Sequence, residues 1–216
     1  MYMGKKTIII QNVNKFFEEE QILKNINAEF EEGKIYGIVG MNGSGKTVLF
    51  KCICGFLHPT SGSIWVNGEK IGKDTDFPKD TGFIIETPGF LTEYTGFQNL
   101  KMLADVRGKI GANEILDTLK KVGLDPASKK IVKKYSLGMR ERLGIAQAIM
   151  ENPEILILDE PFNGLDKKGV KEVYHILSEL KEEGKTILLA SHNEQDILTL
   201  CDETYEMELG VLSKIK

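Results

Sequence analysis

The segment of this 216-residue chain with the clearest chemistry is Gly40-Met41-Asn42-Gly43-Ser44-Gly45-Lys46-Thr47. It satisfies the pattern G-x-x-x-x-G-K-[S/T], follows the apolar run Ile35–Val39 and opens onto a stretch suited to a helix, which is the context the motif needs. Its glycines let successive backbone N–H groups turn inward around an anion. A helix starting behind them adds unpaired N–H groups and the positive end of its dipole. The motif assigns Lys46 to the β- and γ-phosphates of a nucleotide and the Thr47 hydroxyl to Mg²⁺. A second reactive pair, Asp159-Glu160, ends the apolar run Ile155-Leu156-Ile157-Leu158. Ligands of open parallel sheets bind at the carboxyl ends of the strands, which puts these acids beside the phosphate loop. Asp159 is expected to hold Mg²⁺ through its water shell, and Glu160 to polarise an attacking water.

The elements that must position these groups can be read from periodicity. Thr7–Val13 and the alternating Ile26–Phe30 predict strands, with Glu18-Glu19-Glu20 in the turn between them. Ile35–Val39 is apolar throughout, as strands covered on both faces are, and Ile155–Leu158 and Thr186–Ala190 read as further buried strands. Gly62–Gly68 predicts a strand closed by Asn67-Gly68, and Gly82–Glu86 a short strand ending on a carboxylate. Helices are predicted over Val48–Cys54, Leu143–Met150 and Val170–Leu180. Between residues 88 and 134 helical spacing dominates, which predicts an inserted helical lobe within a single domain spanning 1–216. Helix–strand alternation around apolar strands means an α/β fold with a parallel sheet.

Composition narrows the class. The chain is 41% hydrophobic and 28% charged, as soluble globular proteins are, and its net charge of −4 gives no bulk reason to expect nucleic acid. No apolar stretch reaches the roughly 18–20 residues that span a bilayer, and the first residues lack a signal-peptide core, so a cytoplasmic location is expected. Cys52, Cys54 and Cys201 are expected to be packing residues. The pairs Lys129-Lys130 and Lys133-Lys134 read as a solvated face at the end of the helical lobe, the alternative being a contact with lipid headgroups or a partner's cytoplasmic loop.

Further motifs bring a resemblance into view. Tyr135-Ser136-Leu137-Gly138-Met139 precedes the acid-tipped strand; Phe162-Asn163-Gly164-Leu165-Asp166 follows it; Ser191-His192 lies just past the strand Thr186–Ala190; Phe17 stands six residues before Leu23. Their order and gaps resemble the ATP-binding subunit of an ABC transporter over nearly the whole chain. The resemblance implies a P-loop NTPase, RecA-like core with an antiparallel β subdomain and an inserted α-helical subdomain. It implies ATP and Mg²⁺ as cofactors and ATP hydrolysis that powers a separate membrane permease. Phe17 would stack on adenine, with its neighbour Phe16 packing into the core; the alternative is that Phe16 does the stacking. Ser136 and Gly138 would meet the γ-phosphate bound by a second cassette, either an identical copy or a different one, and Asp166 would bridge to it. His192 would contact the γ-phosphate, with Lys46 and Glu160 as its catalytic companions. The subunit would sit peripherally on the inner face of the cell membrane.

Two departures from the family pattern refine this. Glu86 stands where the family commonly has a glutamine that contacts the metal; a carboxylate keeps the Mg²⁺ contact and adds charge. Leu137 and Met139 replace a glycine and the glutamine of the L-S-G-G-Q signature, so Leu137 must point away from the phosphate. Together they resemble the subgroup that exports bacitracin and lantibiotics, which implies export of, or resistance to, a peptide antibiotic. The rival reading is a soluble ABC ATPase with no transport role. The presence of one cassette rather than two, and the lack of a long coiled-coil insert, weigh against it.

Overall fold

A computed structural model describes residues 5–216. In chain order the elements are β1 (Lys6–Phe17), β2 (Glu20–Glu31), β3 (Ile35–Val39), α1 (Lys46–Ile53), β4 (Ser61–Val66), β5 (Glu69–Lys70) and β6 (Thr81–Ile84). There follow α2 (Gly96–Arg107), α3 (Ala112–Lys121), α4 (Leu137–Ile149), β7 (Ile155–Asp159), α5 (Lys167–Glu182), β8 (Thr186–Ser191), α6 (Glu194–Leu200), β9 (Glu203–Glu208) and β10 (Val211–Lys214).

Two sheets form. One has the order β2-β1-β4-β5 and is antiparallel; the other has the order β10-β9-β3-β8-β7-β6, parallel except for its edge strand β10. The three apolar runs β3, β7 and β8 lie inside the second sheet with nearly every side chain buried. Alternation sends their residues to two different cores. Tyr36, Ile38, Ile157 and Leu188 face α1 and the antiparallel sheet, whereas Val39, Leu158, Ile187 and Leu189 face α4, α5 and the helices around them. The parallel sheet is thus covered on both sides, as its composition requires.

Local signals explain most boundaries. The Asn67-Gly68 turn takes two positive φ angles (49° and 80°) and closes the β4–β5 hairpin. Thr95 and Gln98 form a capping box on α2, and Gly108 ends that helix in the left-handed region. Ser136 caps α4 by accepting a 3.2 Å bond from the Met139 N–H, so α4 starts six residues before the predicted Leu143. α4 then crosses the sheet edge in backbone contact. A Cβ on Gly82 of β6 would lie 1.9 Å from the Ala148 carbonyl oxygen, and one on Gly144 would lie 2.9 Å from Pro88.

Several expectations are corrected. β1 and β2 run far beyond the predicted cores, as one long hairpin turning at Glu18-Glu19. β6 stops at Ile84, leaving Glu86 on a loop with φ of 60° rather than at a strand end. Phe16 is not in the core: it is 39% exposed, because the end of β1 projects past the residues the sheet covers. β9, β10 and α6 have no counterpart in the sequence reading.

Candidate active site

β3 delivers the loop 40–47 and α1 begins at Lys46. Gly43 and Gly45 hold φ of 80° and 113°, a conformation in which a side chain would be strained. Lys46 is 6% exposed, and its ammonium donates to the carbonyls of Gly40 (2.6 Å) and Met41 (3.2 Å) across the loop. The buried Ser44 hydroxyl has no hydrogen-bond partner, which is unusual for a buried polar atom and fits a loop shaped for an oxygen-rich ligand.

From the far side, β7 brings its two acids to the same place. The Thr47 hydroxyl donates to Asp159 Oδ2 at 2.5 Å. Burial pushes the Asp159 carboxyl above its ordinary range; the Thr47 bond and Lys46 pull it back, while Glu160 and Glu86 push it further up. Glu160 has φ of 53°, and its Oε2 lies 2.8 Å from His192 Nδ1, while its Oε1 is buried without a partner. β8 carries His192 here, because β7 and β8 pair in register from Ile155↔Thr186 to Asp159↔Ala190. Glu86 lines the same cleft, but its carboxylate is held by Lys51 of α1 at 2.6 Å. Phe17 is half-exposed at the rim, with the Lys15 ammonium 5.0 Å above its ring. The cleft encloses about 590 Å³, within the range of small-molecule sites.

The donor set suits a hard cation shared with phosphates: one hydroxyl and one carboxylate side by side, with Glu86 and Glu160 nearby. Among the described residues, no group of three or more His, Cys, Asp or Glu side chains forms a cage of its own. Mg²⁺ binds in the same manner, through one or two carboxylates plus the substrate's phosphates.

The structure does not bring every predicted residue together. Ser136, Gly138 and Asp166 line a separate pocket beside Gly164 and Arg142, outside the phosphate cleft. Asp166 caps α5 by accepting a 2.7 Å bond from the Gly169 N–H. Leu137 turns onto Gly164, where an added Cβ would lie 2.3 Å from the leucine side chain, leaving the Ser136 end of α4 open. Sequence reasoning missed Glu141, Asn163 and Lys51, although the first two line the phosphate cleft and the third holds Glu86. Glu141 carried a signal: with Gly144, Ile145 and Ala148 it shares the buried face of α4, where a carboxylate needs a reason to be.

Comparisons with known proteins follow the same lines. The family model described as ABC transporter matches residues 23–163. The uncharacterised ABC transporter ATP-binding protein YybJ of Bacillus subtilis (strain 168) is 46% identical over 95% of this chain and 94% of that protein. Bacitracin transport ATP-binding protein BcrA of Enterococcus faecalis is 40% identical over 98% of this chain and 70% of BcrA. Lantibiotic transport ATP-binding protein SrtF of Streptococcus pyogenes is 39% identical over 89% of this chain and 83% of SrtF. Among solved structures, the ATP-binding subunit of an ABC transporter superimposes with a TM-score of 0.88 at 24% identity, covering 97% of this chain and 90% of that one. A bacterial ABC transporter cassette solved as a dimer gives 0.86 at 24% identity, covering 97% and 99%.

Proposed function

The chain belongs to the ABC transporter family, and from that premise we propose that it is the ATP-hydrolysing motor of a membrane pump that exports peptide antibiotics. The observation that carries the chemistry is the convergence of Lys46, Thr47–Asp159 and Glu160 on one cleft, with His192 bonded to Glu160 from the adjoining pocket. The names of BcrA and SrtF, at 39–40% identity, support the substrate class.

In this reading the adenine of ATP rests on Phe17 and the triphosphate lies along residues 40–47. Lys46 leaves the carbonyls of Gly40 and Met41 for the β- and γ-phosphates, exchanging two neutral acceptors for a charged one. Thr47, Asp159 and Glu86 would hold a Mg²⁺ ion, which would neutralise part of the phosphate charge. Glu160 Oε1, buried and without a partner, accepts the proton of the attacking water, while its other oxygen is oriented by His192. The water oxygen bonds to the γ-phosphorus as the bond from that phosphorus to the β–γ bridging oxygen breaks, giving ADP and inorganic phosphate. Ser136, Gly138 and Asp166, apart from this cleft in their own chain, serve the nucleotide of a second cassette in a two-fold pair.

No helix among the described residues is long and apolar enough to cross a membrane, so the pump needs a separate permease. The permease would cover the exposed apolar residues Met102, Leu103 and Val106 of α2. The test is affinity purification of the tagged chain from detergent-solubilised membranes, together with bacitracin and lantibiotic sensitivity of cells expressing Glu160→Gln. A polytopic protein in fixed proportion and a sensitised strain are expected. Ribosomal or DNA-repair partners with unchanged sensitivity would replace transport with a soluble ATPase role.

A further inference from the structure

Glu141 belongs to no motif of the site, yet it stands inside it. It lies on α4, is 7% exposed, and lines the phosphate cleft with Lys46, Glu86, Asp159 and Glu160. Among the described residues, no hydrogen bond or ion pair reaches its carboxylate, and burial alone pushes its carboxyl up to about 7. The Glu141 oxygens open to the cleft and are not sealed in the core, so a ligand in the cleft can complete them. α4 cannot easily withdraw the group. Three residues on, Gly144 packs against Pro88 on the same helix face, and Ala148 lies against Gly82 of β6. The cleft walls carry five carboxylates (Glu20, Glu86, Glu141, Asp159 and Glu160) against the single ammonium of Lys46, and the Lys51 ammonium is taken up by Glu86. What the cleft lacks is positive charge within reach of α4.

We propose that Glu141 is a positioning residue: it accepts hydrogen bonds from the water shell of the cation bound with the nucleotide, and so ties the attitude of α4 to occupation of this chain's own phosphate site. The Ser136 end of the helix lies five residues, about 7 Å of helix axis, away from Glu141. One rigid helix therefore touches the chain's own cleft through Glu141 and presents Ser136 and Gly138 outside it. Filling the cleft would stiffen the surface offered to the second cassette before the two meet. A bound divalent cation also reverses the effect of burial, favouring the ionised Glu141 that can accept such bonds. The inference rests on the nucleotide-binding reading given above.

The test uses the purified full chain, at concentrations where it is monomeric, and a fluorescent ATP analogue titrated with Mg²⁺. Glu141→Gln keeps the shape of the side chain and removes its charge. It should raise the Mg²⁺ midpoint for analogue binding about tenfold, as loss of an outer-shell partner does, and leave affinity in EDTA no weaker. Amide hydrogen exchange over residues 137–142 should slow with Mg²⁺ and analogue in the wild type, and not in the variant. A purely packing role would change the melting temperature without moving the Mg²⁺ midpoint. Unchanged midpoint and exchange in Glu141→Gln would overturn the proposal. Should that variant fail to fold, Glu141→Asp carries the same test: its shorter reach should shift the midpoint in the same direction, and a wild-type midpoint would overturn the idea. A wild type that binds no analogue under any condition would instead overturn the nucleotide reading, and this inference with it.

Discussion

The phosphate cleft and the Ser136 end of α4 are built on opposite principles. In the cleft, Lys46, Ser44 and Asp159 are 6–8% exposed, and each is set by a central strand, the helix that follows one or the short loop between them. At the other end, Ser136, Leu137 and Asp166 are exposed and the backbone N–H groups of a helix start face outward. Groups that work by charge in a low dielectric need a rigid core to hold their distances, and the core supplies it. A helix start needs only its cap to form, and its remaining N–H groups can wait for a ligand or water. The groups of the first region are held against one another within one chain, whereas those of the second stand open at the surface.

The largest expected effect separates the two regions cleanly. Glu160→Gln should lower phosphate release about 10²- to 10⁴-fold while nucleotide binding persists, because the change removes a proton acceptor and leaves the cradle. Equilibrium binding beside steady-state turnover decides it; loss of binding would place Glu160 in the cradle instead.

Next in size is a stability effect inside the cleft. Folded Glu141 keeps its proton up to about 7, against an ordinary 4.5. Between those values the folded state binds more protons than the unfolded one, so its stability falls as pH rises. Glu141→Gln should thus gain about 3 kcal/mol at pH 8, from about 1.4 kcal/mol per pH unit, and nothing at pH 4. Urea unfolding of the nucleotide-free chain at both pH values measures this; an equal gain at both would mean packing rather than charge.

At the open end the effects shrink. Ser136→Ala removes the bond from the Met139 N–H and should cost about 1 kcal/mol, with nucleotide affinity of the monomer unchanged. Weakened binding in the monomer would erase the distinction between the two regions. Smallest is Lys51→Met, which removes a partly exposed ion pair to Glu86 and should change stability by less than about 1 kcal/mol, the loss vanishing in high salt. A melting series in salt reads it; a salt-independent loss would assign Lys51 a packing role.

Much of the fold was legible because its signals are local. β3, β7 and β8 fall on the apolar runs and the β4–β5 turn on Asn67-Gly68, whereas the start of α4 on its capping Ser136 was placed six residues too late. β9 and β10 escaped notice because Glu203–Glu208 and Val211–Lys214 carry exposed charged residues that weaken the strand pattern. Their place comes from pairing, β9 in parallel with β3 and β10 antiparallel to β9. Phe16 misled because giving the stacking role to Phe17 left its neighbour to the core, whereas both aromatics stand exposed at this strand end.

The sequence by itself determined the phosphate loop, the acid-tipped strand, and the α/β order, because each depends on residues a few positions apart. Only the tertiary structure decided which of the reactive groups meet. Thr47 and Asp159 are 112 residues apart, Glu160 and His192 are 32 apart, and the register of the parallel sheet closes both gaps. It also decided that Glu86 rests on Lys51 and that a glutamate on α4 turns into the cleft. Contacts of that kind depend on how strands pair and how closely a helix can approach a glycine, and no local pattern encodes them.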